Sequence, residues 1–224
     1  DEDEGSFVDD PTYDLVYEEY GNATGADGAF NLSTGSGSIN QIFIEKNLDL
    51  NLGTLDGSLG STKGAINATE GSAFTATTNA NVGDVITFDY SFSTNDYQPY
   101  KDFSFFSVNG NTQKIAAVGE DTPNFGNKIG QIEYVLQESD FESELSNEVV
   151  VGIGIMDALD TAVESKLSIM NLEVSEAEDE EDVDDAGDEP DEGSLEVSNL
   201  YGNSNISDYS GNGTYSMSTG TSSV

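Results

Sequence analysis

The sequence predicts an all-β fold, a β-sandwich of the jelly-roll type with one short helix and extended arms at both ends. Short runs of apolar residues, many of them alternating with polar ones, recur between residues 28 and 174, and Gly, Asn, Ser and Thr separate the runs. This pattern is typical of strands joined by turns. Hydrophobic residues make up 35% of the chain, which suffices for one core between two sheets of about seven or eight strands in total.

The first 21 residues combine acidic and aromatic side chains. Tyr13, Leu15 and Tyr17 alternate with Asp14 and Val16, which is the spacing of a strand. Residues 1–21 are therefore interpreted as an arm that docks on another surface, as an arm without fixed structure, or as the first strand of the domain.

The domain itself is assigned to residues 22–174. A short strand around Phe30 precedes the single helix, for which Ser38 or Asn40 is the expected N-terminal cap. The apolar side of this helix is expected to comprise Ile42, Phe43, Lys46 and Leu48.

Strand patterns dominate from residue 73 onward. The pair Asn109 and Gly110 predicts a hairpin turn. Residues 149–155 form an uninterrupted apolar run, which indicates a strand buried on both faces. The other predicted strands cover residues 74–77, 85–92, 103–108, 114–118, 129–136 and 166–174.

Two polar segments follow the domain. Residues 176–192 contain twelve Asp and Glu, so residues 175–193 are interpreted as an extended acidic linker or, alternatively, as a cation-binding strip. Residues 194–224 form a polar tail with two strand-like patterns and no core of its own. The tail is expected either to stay mobile or to donate a strand to the sheet edge of a neighbouring copy.

Charge is the strongest single signal in the sequence. The chain has 44 Asp and Glu against six Lys and no His, a formal net charge of −38, and a compact fold with such a charge repels itself. We expect Ca²⁺, in unknown number, to offset this repulsion, because hard divalent cations prefer carboxylate and carbonyl oxygens. Acidic adaptation to high salt is the alternative.

Composition also excludes several classes of function. Nucleic-acid binding requires clustered Lys and Arg, and six scattered lysines cannot form such a patch. Without His, Cys or Arg, catalytic triads and phosphoryl-transfer sites are excluded, so the chain is predicted not to be an enzyme. No apolar run is long enough to cross a bilayer, and the acidic beginning suggests a mature product or an excerpt.

Two loops are candidate cation sites. The first, residues 154–165, begins in a buried strand and carries Asp157, Asp160 and Glu164 at positions i, i+3 and i+7. The second is residues 95–102. Because Ca²⁺ takes about six to eight oxygens, backbone carbonyls must contribute as well; the alternative is that these are solvated acids of ordinary turns. The predicted metal ligands are Asp157, Asp160, Glu164, Asp102, Asp96 and Asn95.

Two further groups of residues are candidate sites. Tyr97 and Tyr100 have rings that can stack on a sugar, although their surroundings also suit a simple loop. Asn-x-Ser/Thr sequences mark possible glycosylation sites, with chance as the alternative explanation, at Asn22, Asn31, Asn67, Asn205 and Asn212.

Several motifs occur in an order that resembles a known module. They are LSTGSGS at 32–38, TEGSA at 69–73, GDVITFDY at 83–90, YKDFSF at 100–105 and the segment 152–165. Over about residues 28–174 the chain resembles a jelly-roll module of large secreted proteins of cyanobacteria and other marine bacteria. The resemblance implies a calcium-associated extracellular β-sandwich and supplies no activity. Lys101 and Glu164 stand where the module is expected to have Asn and Asp.

These observations lead to three hypotheses about function. The first is a secreted structural subunit of an extracellular filament, sheath or surface assembly, stabilised by Ca²⁺ and joined to copies of itself by strand exchange through its arms. The alternative is a calcium-dependent adhesion or carbohydrate-binding module. A further alternative is a virion surface or fibre protein.

Overall fold

The computed structural model describes residues 13–56, 59, 67–122, 125–141 and 146–177. Within them the chain forms eleven strands, one α-helix, α1 (Gln41–Asn47), and one 3₁₀ turn (Glu138–Asp140). The strands are β1 (Val16–Tyr20), β2 (Ala23–Ala26), β3 (Ala29–Ser33), β4 (Ile39–Asn40), β5 (Ala68–Asn79), β6 (Val85–Thr94), β7 (Phe103–Val108), β8 (Asn111–Ala117), β9 (Asn127–Val135), β10 (Glu148–Ala158) and β11 (Ser165–Ser175).

The strands form two antiparallel sheets. The first has the order β1-β5-β10-β7-β8, with β4 also paired to β5, and the second has the order β2-β3-β11-β6-β9. From β5 to β7 and again from β9 to β11, successive strands cross from one sheet to the other. The rows β3-β11-β6-β9 and β5-β10-β7-β8 together have the strand order of a jelly roll. The predicted fold class, with its one short helix, is therefore confirmed.

The main core lies between the two sheets. In β6 every second residue faces inward, so that Ile86, Phe88, Tyr90 and Phe92 are buried, as the alternating pattern predicted. The rings of Phe30 and Phe74 stack with centroids 3.9 Å apart and thereby join β3 to β5 across the core. Tyr17, from β1, packs against Phe30 at 4.9 Å.

A second, smaller core explains the apolar run in β10. Val151, Ile153 and Ile155 face the main core, while Met156 and Ala158 face a separate cluster beneath α1. Gly152 permits this packing, because a Cβ atom there would lie 2.7 Å from the Leu48 side chain. The run is thus buried on both faces, as predicted, and the covering element is the helix.

The helix begins where predicted but buries a different side. Asn40 caps it by accepting a hydrogen bond from the amide of Ile42 at 3.0 Å. Ile44 and Leu48, one turn apart, face the second core, whereas Ile42 and Phe43 are 47% and 59% exposed. The expected apolar side was therefore wrong for these two residues and for Lys46, which is also exposed. The strand beneath the helix, rather than local spacing, decides which side is covered. Among the residues that the structure describes, no helix has the length and apolarity to cross a membrane.

The two ends of the described chain meet at one turn. Tyr13 donates a hydrogen bond to Asp84 at 2.8 Å, and the amide of Ala177 donates to the same carboxylate at 3.2 Å. β1 pairs with β5 within its own chain. Residues 1–12, most of the acidic linker and the whole tail, with Asn205 and Asn212, lie outside the described residues.

The stacked pair in the main core gives a stability prediction. Replacing Phe74 by Ala removes a fully buried ring and should lower the free energy of unfolding by about 3–5 kcal/mol. Phe43→Ala is the matched control, because that ring is 59% exposed and its loss should change stability by less than about 1 kcal/mol. Urea denaturation measures both values, and equal losses would contradict this description of the core.

Candidate functional site

Most buried carboxylates in this fold have hydrogen-bond donors. Glu45 accepts from the amides of Gly53 and Leu55 at 2.9 and 2.8 Å and from the Gln41 side chain at 3.0 Å. Asp84 is held in the same way at the turn described above, and Asp140 accepts from the Tyr134 hydroxyl, the Gln137 amide and the Asn111 side chain. Such donors offset the cost of removing a carboxylate from water.

Two further buried acids, Asp96 and Asp157, have carboxylate oxygens without donors. Together with Asp102 they form what we call the carboxylate cluster: Asp96, Asp102 and Asp157. Each is only 1% exposed. Asp102 directly precedes β7 and Asp157 lies near the end of β10, and the pairing of Phe103 with Met156 brings these two strand ends together. Asp96 follows β6 and comes from the other sheet.

Hydroxyl groups surround Asp102. Its Oδ2 accepts from the Ser165 hydroxyl at 2.5 Å and its Oδ1 from the amide of Ala158 at 3.1 Å. The Ser165 hydroxyl is also 2.7 Å from that of Thr94, and the amide of Ser165 donates to the Thr34 hydroxyl at 3.0 Å. The cluster therefore draws oxygens from both sheets and from the Gly- and Ser-rich loop after β3.

The other two acids have buried carboxylate oxygens that lack donors. Both carboxylate oxygens of Asp157, and Oδ2 of Asp96, are buried without a hydrogen-bond partner. Burial raises the pKa of Asp157 to about 8, helped by the charge of Asp102 and partly offset by the nearby Thr34 hydroxyl. Burial likewise raises the pKa of Asp102 to about 6, although the hydrogen bonds that its carboxylate accepts from Ser165 and Ala158 lower it. The pKa of Asp96 is raised in the same direction, first by burial and then by the charge of Asp160.

An unpaired buried carboxylate needs either a proton or a cation. The free oxygens of Asp157 and Asp96 fit a hard cation chemically, because carboxylates are the ligands that such ions prefer. The described acids do not, however, converge into a ready-made group of three carboxylate ligands. A bound cation would therefore complete its shell with hydroxyl groups such as that of Thr34, backbone carbonyls or water.

The structure separates the six predicted metal ligands. Asp160 lies half-buried at the rim of the cluster, with Oδ1 accepting from the amide of Ala162 at 3.2 Å. Glu164 is exposed and turns towards Gly35 and Lys166, whose Nζ is 3.8 Å from its carboxylate. Asn95 is also exposed. Asp96, Asp102 and Asp157 are therefore gathered in the buried cluster, Asp160 borders it, and Glu164 and Asn95 lie outside it.

Three aromatic rings, two of them exposed, lie next to the cluster, and we call them the aromatic platform: Tyr97, Tyr100 and Phe125. The Tyr97 ring is 5.6 Å from each of the other two rings. Tyr97 and Phe125 are 45% and 66% exposed, and Tyr100 is half-buried. Sequence reasoning named the two tyrosines but missed Phe125, which lies in a polar loop without any strand or helix pattern around it.

Asp96 connects the platform to the cluster. Its side chain accepts a hydrogen bond from the amide of Tyr97 at 2.8 Å, and its carbonyl accepts from the amide of Phe125 at 2.9 Å. Its own amide donates to the Thr94 hydroxyl at 2.9 Å. The position of both exposed rings therefore depends on a residue whose remaining carboxylate oxygen has no partner.

The predicted glycosylation sites within the described residues are not equivalent. The Asn22 side chain donates to the Ser33 hydroxyl at 2.6 Å and is half-buried. Asn31 and Asn67 are exposed. These two asparagines are therefore the accessible candidates.

Comparison with known proteins adds little to this description. No family model and no curated protein matches the chain. Among solved structures, a carbohydrate-binding module described as CBM4 is 11% identical, with a TM-score of 0.34, over 71% of this chain and 93% of that one. A GH31 alpha-xylosidase from Xanthomonas citri is 12% identical, with a TM-score of 0.15, over 76% of this chain and 19% of that one. At these scores the similarity says nothing about function.

The raised pKa values predict a pH dependence of stability in the presence of a chelator. Asp157 and Asp102 have folded-state pKa values of about 8 and 6, whereas in the unfolded chain they ionise near 4. Between these values the folded state holds protons that the unfolded state releases, so stability falls as pH rises from about 4 to 8.

The charge of the whole chain also changes stability with pH, so the measurement is a difference between variants. Asp157→Asn cannot ionise, and its stability relative to the wild type should rise by up to about 1.4 kcal/mol per pH unit between pH 5 and 7. Asp14→Asn, at an exposed position, is the control and should show no such trend. Urea melts in chelator at pH 5, 6 and 7 check this, and parallel curves for all three proteins would refute it.

Proposed function

We propose that this chain is a non-catalytic β-sandwich that binds glycans through the aromatic platform and is stabilised by a divalent cation at the carboxylate cluster. The observation that supports glycan binding is the platform itself. Three adjacent rings stand at one end of the sandwich, and Tyr97 and Phe125 are largely open to solvent, although exposing large rings to water is unfavourable without a partner.

The chemistry of the platform suits a sugar. The C–H face of a pyranose packs on an aromatic ring, and the tyrosine hydroxyls can exchange hydrogen bonds with sugar hydroxyls. The rings are tilted relative to one another, by 85° between Tyr97 and Tyr100 and by 33° between Tyr97 and Phe125. They therefore form an angled surface, which favours a chain of sugars over a single flat ring.

The cation is proposed from the unpartnered oxygens in the cluster. Asp157 and Asp96 together leave three buried carboxylate oxygens without donors, whereas Glu45, Asp84 and Asp140 are supplied with them. Ca²⁺ is the favoured ion, because it accepts irregular shells of carboxylate, hydroxyl and carbonyl oxygens. Adaptation of the acidic surface to high salt is the competing explanation.

Asp96 links the proposed cation site to the proposed glycan-binding platform. A cation that neutralises Asp96 and Asp157 would hold the backbone of Tyr97 and Phe125 in place, because both amides are hydrogen-bonded to Asp96. Glycan affinity is therefore expected to depend on the cation, although the cation need not touch the sugar.

The remaining hypotheses stay predictions. Strand exchange through the arms concerns mainly residues 1–12 and 178–224, which lie outside the described part of the chain. A filament or sheath subunit, a virion surface protein and a secreted location therefore remain predictions from the sequence.

The cation proposal predicts that the effects of Ca²⁺ and of Asp157→Asn on stability oppose each other at pH 8. Millimolar Ca²⁺ should raise the wild-type Tm by about 5–10 °C at a hundredfold excess over Kd. Asp157→Asn should abolish this rise, yet in chelator it should melt at or above the wild-type temperature, because it removes a buried charge. Differential scanning calorimetry measures both.

Two comparisons make this test specific. Glu164→Gln should keep the full Ca²⁺ response, because Glu164 lies outside the cluster. NaCl at equal ionic strength should raise the Tm only weakly, because screening acts on exposed charges and not on buried ones. Equal effects of NaCl and Ca²⁺, or an undiminished response in Asp157→Asn, would reject the cation site.

The platform proposal predicts a loss of glycan affinity on removal of single rings. The probes are neutral polysaccharides in a glycan array, followed by titration calorimetry of those that bind. Tyr97→Ala and Phe125→Ala should each weaken binding about tenfold, the effect of losing roughly 1.4 kcal/mol of ring contact. Phe43→Ala, which removes an exposed ring from α1, should leave affinity unchanged. Absence of any glycan ligand, with and without Ca²⁺, would overturn the proposal.

A further inference from the structure

The outer edge of β9 is the longest strand edge that the described chain leaves open. β9 has nine residues and ends the second sheet, where it pairs only with β6. The other end strands, β1, β2 and β8, have five, four and seven residues. The pairing of β9 with β6 runs without a register shift from Val85–Val135 to Ser93–Asn127.

The hydrogen-bond pattern shows which backbone groups of β9 point outward. The bonds that flank the pairing join Thr94 to Gly126 and Leu136 to Asp84. In an antiparallel pair the bonded positions alternate, so the even-numbered residues of β9 bond to β6. Asn127, Ile129, Gln131 and Glu133 therefore direct their N–H and C=O groups away from the sheet.

These outward groups have no partner among the described residues. The one outward carbonyl that is used belongs to Val135, which accepts from the Gln137 side chain at 2.8 Å. The edge of β8 differs, because Lys128 Nζ lies 3.5 Å from the carbonyl of Ile115 and Asp121 accepts from the amide of Ala117 at 3.1 Å.

β9 has only part of the usual protection of an edge strand. It has no proline and no bulge, and Ile129 on its outer face is 73% exposed. Natural edge strands commonly carry charges, prolines or bulges that prevent pairing with another strand. In a chain of net charge −38, the segment NKIGQIEYV holds one Lys and one Glu, so it is a neutral strip on an acidic surface.

We propose that β9 pairs antiparallel with β9 of a second copy of this chain, about a two-fold axis at Gln131. In this register Gln131 faces its own copy and Ile129 faces Glu133 of the partner subunit, so that no two like charges are opposed. The outward groups then form roughly eight hydrogen bonds, and the two five-stranded sheets join into one. A second copy fits better than a foreign peptide, because the strip is self-complementary and is the place where two acidic molecules repel each other least.

The axis makes a sharp prediction for cross-linking. The chain contains no Cys, so one introduced cysteine reports on one contact. Opposed residues in a bonded pair have Cα atoms about 5.5 Å apart, which a disulfide can span. Gln131→Cys should therefore form a disulfide dimer under mild oxidation. Val16→Cys, at an exposed position on the β1 edge strand of the other sheet, is the matched control and should stay monomeric.

Sedimentation equilibrium of the full chain tests the association without a cross-link. Ile129→Lys adds a charge to the strip, and Gln131→Pro removes an outward N–H while sparing the bonds to β6. Each should weaken dimerisation at least tenfold, whereas Val16→Lys should not, and raising NaCl should strengthen the dimer by screening the two acidic subunits.

Each outcome of these experiments either supports or overturns the β9 dimer. A wild-type dimer that these β9 variants disrupt, together with selective cross-linking at position 131, supports the proposal. A wild-type chain that stays monomeric at several hundred micromolar and high salt overturns it. So does a dimer that only Val16→Lys disrupts, and so does a monomer whose β9 edge instead binds an unrelated extended peptide.

Discussion

The structure depends on how a chain of net charge −38 buries any carboxylate at all. Each buried acid must receive donors, a proton or a cation, because an isolated charge in a core is strongly unfavourable. Glu45, Asp84 and Asp140 receive donors and hold loops or chain ends in place. Asp157 receives none, although β10 places it in the interior. The cation site proposed above rests chiefly on the position of that side chain.

The jelly-roll topology explains why the site combines distant segments. β7 and β10 are neighbours in one sheet, while the loop after β6 reaches the same end from the other sheet. Asp102 therefore lies between Asp157 and Asp96, although more than fifty residues separate Asp102 from Asp157. Asp96 also holds Tyr97 and Phe125 by their amides. In the proposed mechanism, neutralising the cluster acts on the exposed rings through these two hydrogen bonds.

The two proposed surfaces are adjacent along the chain, because one is β9 and the other includes a residue just before it. Phe125, just before β9, belongs to the aromatic platform, while residues 127–135 form the neutral strip. In the proposed dimer the pairing ends at Asn127, so Phe125 stays outside the paired segment. Glycan binding and self-association are therefore compatible on one subunit, and a dimer would present two platforms. Such an arrangement increases the affinity for a repeating polymer without any new contact.

The sequence by itself determined the fold class and the eight jelly-roll strands, β3 and β5 to β11, whereas β2 and β4 were not predicted from it. It also named the acids of the proposed site. Alternation of apolar and polar residues suffices to predict a strand and its buried face, because successive side chains of a strand point to opposite faces of the sheet. Which side of α1 is buried, the exclusion of Glu164 from the cluster, the inclusion of Phe125 in the platform and the open edge of β9 were decided by tertiary structure alone. Each depends on what lies opposite a residue in space, such as Gly152 beneath Leu48 or Asp96 beside Phe125. Local spacing carries no information about those partners, because they come from strands far away in the chain.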